Sequence, residues 1–300
     1  MGVGKGLPGQ FEVVPPFVRA VGEVRACFAA LSGRTLPERT YEHGGLRLRF
    51  PKVAAGCEAV LINTGGGMAG GDRAVLHFAA GAGADVTLTT QSAEKIYRTQ
   101  GSASIVEVGL SVASAARLEW LPQETILFNE GQLVRRLDAE MAADAALTLV
   151  ESVTFGRSAM GEMQPRGVFR DSWRIRRGGE LVFAEEARLE GNIAATLDRR
   201  ACGAGARALA TFLYIAPDAE RRIEGVRAVL DGLRPRGDVM CSTEPARDGT
   251  AIEAGITCGA SAWNGILVAR FGSASPQRVR AALVGLLEAL RGRRVPRVWQ

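Results

Sequence analysis

The usual metal ligands are scarce in this chain. Histidine occurs twice, at His43 and His77, and the five cysteines (Cys27, Cys57, Cys202, Cys241, Cys258) are scattered without a CxxC spacing. That excludes a zinc knuckle and a disulfide framework, and it leaves little material for a multi-histidine metal centre or a His-dependent triad. Each cysteine reads as a small apolar core residue in a reducing compartment. Lysine is confined to Lys5, Lys52 and Lys95, so nearly all of the 37 basic residues are arginine. Arginines cluster at Arg174, Arg176 and Arg177 and again at Arg291, Arg293, Arg294 and Arg297. Aromatic residues, at 6%, do not interleave with these clusters, which argues against nucleic acid. The clusters read as solvated faces or as docking surfaces for an acidic partner. No uncharged apolar run approaches the roughly 18 residues that a membrane span requires. The opening MGVGKGLPGQFEVVPP lacks the apolar stretch of a secretory signal. A soluble, cytoplasmic protein is expected.

What the chain does have is core material and a repeat. Of its 300 residues 47% are apolar, enough for a substantial interior, and no low-complexity linker divides it. A single domain over 1–300 is expected. Three segments, 74–99, 104–128 and 133–157, share one plan with a period of about thirty residues. Each has a strand, an Ala/Gly/Ser-rich bend, a second strand, a polar corner and a third short strand. Val86, Leu88 and Thr90 alternate to one side, as do Leu118 with Trp120 and Leu147 with Leu149. The corners read as 91–94, 122–124 and Glu151-Ser152. Small residues at equivalent bends suit strands stacking coil upon coil, so a mainly β, β-helix-like solenoid is expected. The C-terminal third changes period. A strand at 209–216 precedes a helix over 218–233, with Asp218 as N-cap. Strands near 251–258 and 265–271 lead to a second helix over 276–291, opened by Ser275-Pro276.

The stretch TGGGMAGGD (64–72) raises the question of a phosphate cradle. Residues 65–70 satisfy GxGxxG behind a predicted strand, and Asp85 lies about twenty residues beyond Gly65. A dinucleotide site, however, needs a helix to open at the third glycine so that its N-terminus faces the pyrophosphate. Here Asp72-Arg73 runs into AVLHF, a strand pattern, and no GK[ST] follows for a P-loop. The glycines are expected to shape backbone where strands turn tightly, with Asp72 starting the next strand. GRSAMGE (156–162) falls one residue short of a nucleophile elbow and has no histidine partner. What remains is a set of polar corner residues: Asp72, Glu94, Lys95, Tyr97, Arg98, Gln123, Glu124, Arg157 and Glu162. They read individually as satisfied turn residues and collectively as the lining of a polar track or a docking face.

Five ordered motifs resemble the UreD (UreH) family of urease accessory proteins: LINTGGGMAGGD (61–72), LTTQSAEKIYRT (88–99), LEWLPQETILF (118–128), GRSAMGE (156–162) and the terminal PRVW (296–299). The stretch GGLRLRFP departs from the family pattern. The resemblance implies a β-helix-like fold with two helices and a non-enzymatic role as a maturation chaperone. It implies binding to apo-urease and to UreF, with UreG recruited through UreF. It also implies support for nickel insertion, with the protein as a passage for transient nickel(II) and no tightly bound cofactor. Carried over residue by residue, Asp72 and Glu186, in AEEAR beside Glu185, become candidate positions on the nickel path. Lys95, Tyr97, Arg98, Arg157, Glu162 and Trp299 become structural or partner-facing positions. A site of carboxylates and water exchanges a cation faster than imidazole or thiolate would, which suits transit over storage. The competing readings are an NAD(P)-dependent oxidoreductase using residues 65–70 and a structural solenoid without metal business.

Overall fold

The computed structural model describes residues 19–163, 165–233 and 255–300. The opening sixteen residues and Cys241 lie outside them. The described chain begins with β1 (Val21–Leu31), β2 (Arg34–His43), β3 (Leu46–Arg49) and β4 (Cys57–Asn63). The first coil is β5 (Arg73–Ala80), β6 (Asp85–Thr90) and β7 (Glu94–Ile96). The second is β8 (Ser104–Val112), β9 (Arg117–Leu121) and β10 (Thr125–Leu127). The third joins β11 (Gly131–Met141) to β12 (Ala146–Phe155), and a hairpin of β13 (Arg166–Arg177) and β14 (Glu180–Asn192) follows. A short helix α1 (Ile193–Asp198), β15 (Ala208–Ile215) and α2 (Ile223–Leu233) come next. The described chain closes with β16 (Ile256–Trp263), β17 (Ile266–Ser273) and α3 (Pro276–Arg291).

Successive coils stack in parallel, so residues about thirty apart become lateral neighbours. In one sheet β1, β5, β8, β11 and β13 run parallel, with β2 and β14 as antiparallel edges. In the facing sheet β4, β6, β9 and β12 run parallel, extended by β15, β17 and β16 on one side and β3 on the other. The short β7 and β10 line up with the end of β12 along one corner. The register builds rows across the coils: Val24, Leu76, Val108, Leu137 and Trp173 in the first sheet, Val86, Leu118 and Leu147 in the second. These rows meet as the core between the sheets. The expected solenoid is present, with its bends at 81–84, 113–116 and 142–145.

The second sheet is buried on both faces, so β6, β9 and β12 are buried along nearly their whole length, and their polar members Thr87, Thr89, Glu119 and Glu151 are hydrogen-bonded inside. Its outer face carries Leu121, Val150 and Phe212, and α2 and α3 cover it. The stripe Val279, Ala282, Leu283, Leu286, Leu287 of α3 is buried there. Pro276 opens this helix and Gly292, at φ 60°, ends it by donating its N–H to Glu288 O. The terminal segment closes the layer. Trp299 is 3% exposed, donates Nε1–H to Leu121 O at 3.0 Å, and lies under the Arg280 guanidinium, 5.1 Å from its ring centre. Arg291 reaches the buried Glu119 at 2.9 Å, and Thr87 donates to the same carboxylate. Against the cost of burial, Arg291, Thr87 and Arg293 hold the Glu119 carboxyl below its ordinary range.

Several local expectations need correction. Glu151-Ser152 is not a corner, because β12 runs unbroken to Phe155. The strand expected at 251–258 is found at Ile256–Trp263, and 251–254 lie outside the described residues. Asp218 does not cap a helix. Its carboxylate accepts from Tyr214 Oη and Arg222 Nε, each at 2.7 Å, and a 3-10 turn over Glu220–Arg222 leads into α2. Ser275 sits at the N-cap of α3, yet its hydroxyl bonds Gln277 rather than the helix backbone. Of the cysteines, Cys57 is buried while Cys202 is exposed. Burial, with Glu58 adding to it, pushes the Cys57 thiol up to about 11.

Candidate functional site

The motif residues gather at one corner of the coils. The glycine loop leads directly into β5, so no helix N-terminus faces it and the dinucleotide reading fails on geometry. The loop is packed instead. Its Met68 bridges Ile96 of the next coil, and Tyr97 donates its hydroxyl to Gly66 O at 3.1 Å. Tyr97 meets Phe128 edge-on at 5.2 Å, and the Arg157 guanidinium lies 3.9 Å over Phe128. One residue from each successive coil thus stacks on the last. Glu162 anchors Arg157 and accepts the Asn129 N–H at 3.2 Å. Lys95 and Arg98 are exposed beside this column, and Arg98 bridges Gly131.

Glycine is required in the loop for a stated reason. At Gly67, φ is +155° and an added Cβ would stand 2.5 Å from the Tyr97 ring and 2.8 Å from Lys95 O. At Gly66, φ is +73° but the space is open. Gly67→Ala is therefore expected to lose about 1–3 kcal/mol through strain and the displaced Tyr97, and Gly66→Ala only about 1 kcal/mol from torsion. Denaturant midpoints of the two variants check this, and equal losses would remove the packing argument.

Asp72 closes the loop. Its two carboxylate oxygens accept the N–H of Ala20 at 2.8 Å and of Ala69 at 2.7 Å. It also lines a cavity of about 240 Å³ with Asn63, Gly67 and Tyr97. Leu46, Met68 and Ala74 form the wall between this cavity and a second of about 60 Å³ inside the solenoid. The second holds Glu94, Gln123, Arg135 and Glu151. Asn63 donates to both Glu94 oxygens at 3.1 Å, while burial pushes the Glu94 carboxyl above its ordinary range. Gln123 accepts from Arg280 through Oε1, which fixes the amide, and its buried Nε2 has no partner among the described residues. Arg135 and Glu151 are shared with a third cavity of about 920 Å³, lined further by Asp171, Trp173, Glu185 and Arg270. The three cavities thus share walls, neighbour to neighbour, and each is lined by at least one carboxylate.

The wall between the second and third cavities is ionic. Arg135 is 5% exposed and Glu151 4%. Arg135 donates Nε–H to Asp171 Oδ1 at 2.9 Å and Nη2–H to Asp171 Oδ2 at 2.5 Å, while Nη1–H goes to Glu151 Oε2. Trp120 Nε1–H donates to Glu151 at 2.8 Å and Trp173 Nε1–H to Asp171 at 3.2 Å. Local pairing explains the site. Arg135 and Asp171 are direct neighbours across β11 and β13, in a row whose earlier members are Gly22, Ala74 and Val106. Ala74 and Val106 of that row line the second cavity, and Gly22 lines the first. Burial pushes the Glu151 carboxyl up to about 7, with Arg135 opposing and Asp171 adding to the rise. Burial works against the Arg135 charge, but Asp171 and Glu151 hold its pKa above the usual arginine range. Among the described residues no group of three or more His, Cys, Asp or Glu stands close enough to hold a metal ion.

Of the two adjacent glutamates of β14, the period-two alternation separates the roles. Glu186 points to the outer face, with a side chain 55% exposed and Arg174 at 3.9 Å. Glu185 faces the third cavity at 18% side-chain exposure, accepting from Thr211 at 3.1 Å and from Arg270. Glu186 thus stands apart from the cavities, and Glu185 is the residue beside them. Arg135, Glu151 and Asp171 also escaped the motif reading, although Arg135 and Asp171 are charges at inward positions of alternating strands.

The family described as UreD urease accessory protein matches residues 20–300. The chain is 48% identical over 260 residues to a protein named urease accessory protein UreD from Methylobacterium sp. (strain 4-46), covering 86% of each. It is 44% identical over 281 residues to the protein of that name from Beijerinckia indica, covering 94% of this chain and 97% of the relative. With the one from Rhodopseudomonas palustris (strain HaA2) it shares 46% over 282 residues, 94% of this chain and 93% of the relative.

Proposed function

Because this chain belongs to the UreD family of urease accessory proteins, we propose that it serves urease maturation as a chaperone that conducts nickel(II). In this reading it binds apo-urease and UreF, meets UreG through UreF, and acts in the cytoplasm without catalysing a reaction itself. No described helix is long and apolar enough to cross a membrane. The observation that supports conduction is the run of three adjoining cavities from Asp72 past Glu94 and Glu151 to Asp171 and Glu185. Carboxylates singly or in pairs, with water, exchange a divalent cation quickly, whereas a full cage of imidazole or thiolate would keep it. The corner column carrying Lys95, Tyr97, Arg98 and Arg157 offers partners a rigid surface, and Trp299 acts from inside by fixing α3.

The test is Asp72→Ala, co-expressed with the urease subunits and their accessory proteins. The half-buried site lets water replace the lost carboxylate as acceptor for the Ala20 and Ala69 N–H groups, so the chain is expected to fold and still bind a UreF-like protein. Urease purified from these cells should hold less nickel per active site and show lower activity. Unchanged nickel with soluble variant present would leave Asp72 as a loop anchor alone and remove the conduit reading at that end. A chain that neither associates with urease subunits nor alters their nickel would instead be a structural solenoid.

A further inference from the structure

Arg135 stands where the second and third cavities meet, and it holds both carboxylates of their common wall. A passage through the solenoid interior must cross this wall, yet its carboxylates are already taken by a tethered cation. The groups are unequal in number: two carboxylates, Glu151 and Asp171, share one guanidinium. A divalent cation matches the pair, and a monovalent one offers no more charge than Arg135 and none of its directed hydrogen bonds. The adjoining cavity of about 920 Å³ gives a released guanidinium room and solvent.

We propose that Arg135 is the internal counter-cation of the passage, closing the Glu151–Asp171 pair to monovalent ions and yielding it to a divalent cation. The assignment rests on the conduit reading and adds to it a residue that sets selectivity. Arg135 is a positioning residue here, since it acts by occupying the two carboxylates. The small inward row before it, Gly22, Ala74 and Val106, supplies no other cation to that wall.

The pair carries its own optical reporters, because Trp120 bonds Glu151 and Trp173 bonds Asp171. The full chain, in complex with its UreF-like partner where solubility requires it, is titrated with Ni²⁺ at pH 8 while tryptophan emission is followed. Arg135→Lys keeps the charge but loses the bidentate fork, so it should bind Ni²⁺ about tenfold more tightly than wild type, a change of about 1.4 kcal/mol. Asp171→Asn, close to isosteric, should weaken Ni²⁺ binding about tenfold, and K⁺ at matched ionic strength should leave wild-type emission unchanged. Equal Ni²⁺ affinity in wild type and Arg135→Lys, or K⁺ acting as Ni²⁺ does, overturns the assignment. Should Arg135→Lys fail to fold, unchanged affinity in Asp171→Asn overturns it equally. Either failure leaves the conduit reading in place, which is judged separately by nickel delivered with Asp72→Ala.

Discussion

Arg135→Met is expected to cost the fold about 3–5 kcal/mol, because it strands two buried carboxylates. Methionine fills the volume but carries no charge. Glu151 keeps only the Trp120 indole and Asp171 only the Trp173 indole among the bonds they now share with Arg135. The control is a fully apolar exchange, Arg135→Met with Glu151→Leu and Asp171→Leu. Replacing a whole buried ion cluster by packed apolar residues is often neutral or stabilising. Most of the lost stability should therefore return in the triple variant, while nickel delivery should not. Denaturant midpoints measured side by side check the first part and nickel per urease active site the second. A single variant as stable as wild type would show that the cluster is hydrated in the folded protein.

Trp299→Ala should lose a similar amount, about 3–5 kcal/mol, by a different route. The indole fills the space between β9 and α3, so its removal leaves a cavity under Arg280. Leu121 O keeps a donor, since the Thr89 hydroxyl bonds it at 2.7 Å. The loss is therefore one of packing, and Trp299→Phe should recover most of it. If alanine at this position left the midpoint unchanged, the buried stripe of α3 and the Arg291–Glu119 pair would suffice to hold the helix without the indole.

The sequence was most legible where its periodicity was strongest. The three bends, the stacked strands and the helix of α3 follow from alternation, small residues and the Ser275-Pro276 start. The six-residue α1 shows too little periodicity to be read. Glu151-Ser152 looked like a corner because a polar pair ends the run LTLV. In the structure Glu151 stays within the strand because Trp120 and Arg135 satisfy it. The choice between Glu185 and Glu186 needed the pairing of β14 with β13, which no local pattern contains. Arg135 and Asp171 were visible as charges among inward Leu133, Leu137, Phe169 and Trp173. Their meeting depended on a lateral register across 36 residues of chain.

That register bears on how the coils avoid stacking wrongly. The apolar rows are interchangeable enough that Leu beside Val or Ala beside Phe would tolerate a shifted partner. Arg135 opposite Asp171 would not. A slip of β13 by one residue would set Arg170 or Ser172 opposite Arg135 and turn every inward side chain of that strand outward. A slip by two would keep the faces but offer Phe169 or Trp173 to the guanidinium, leaving Asp171 buried and alone. A shifted register would therefore bury a charge without its partner, a penalty that a uniformly apolar interior would not impose.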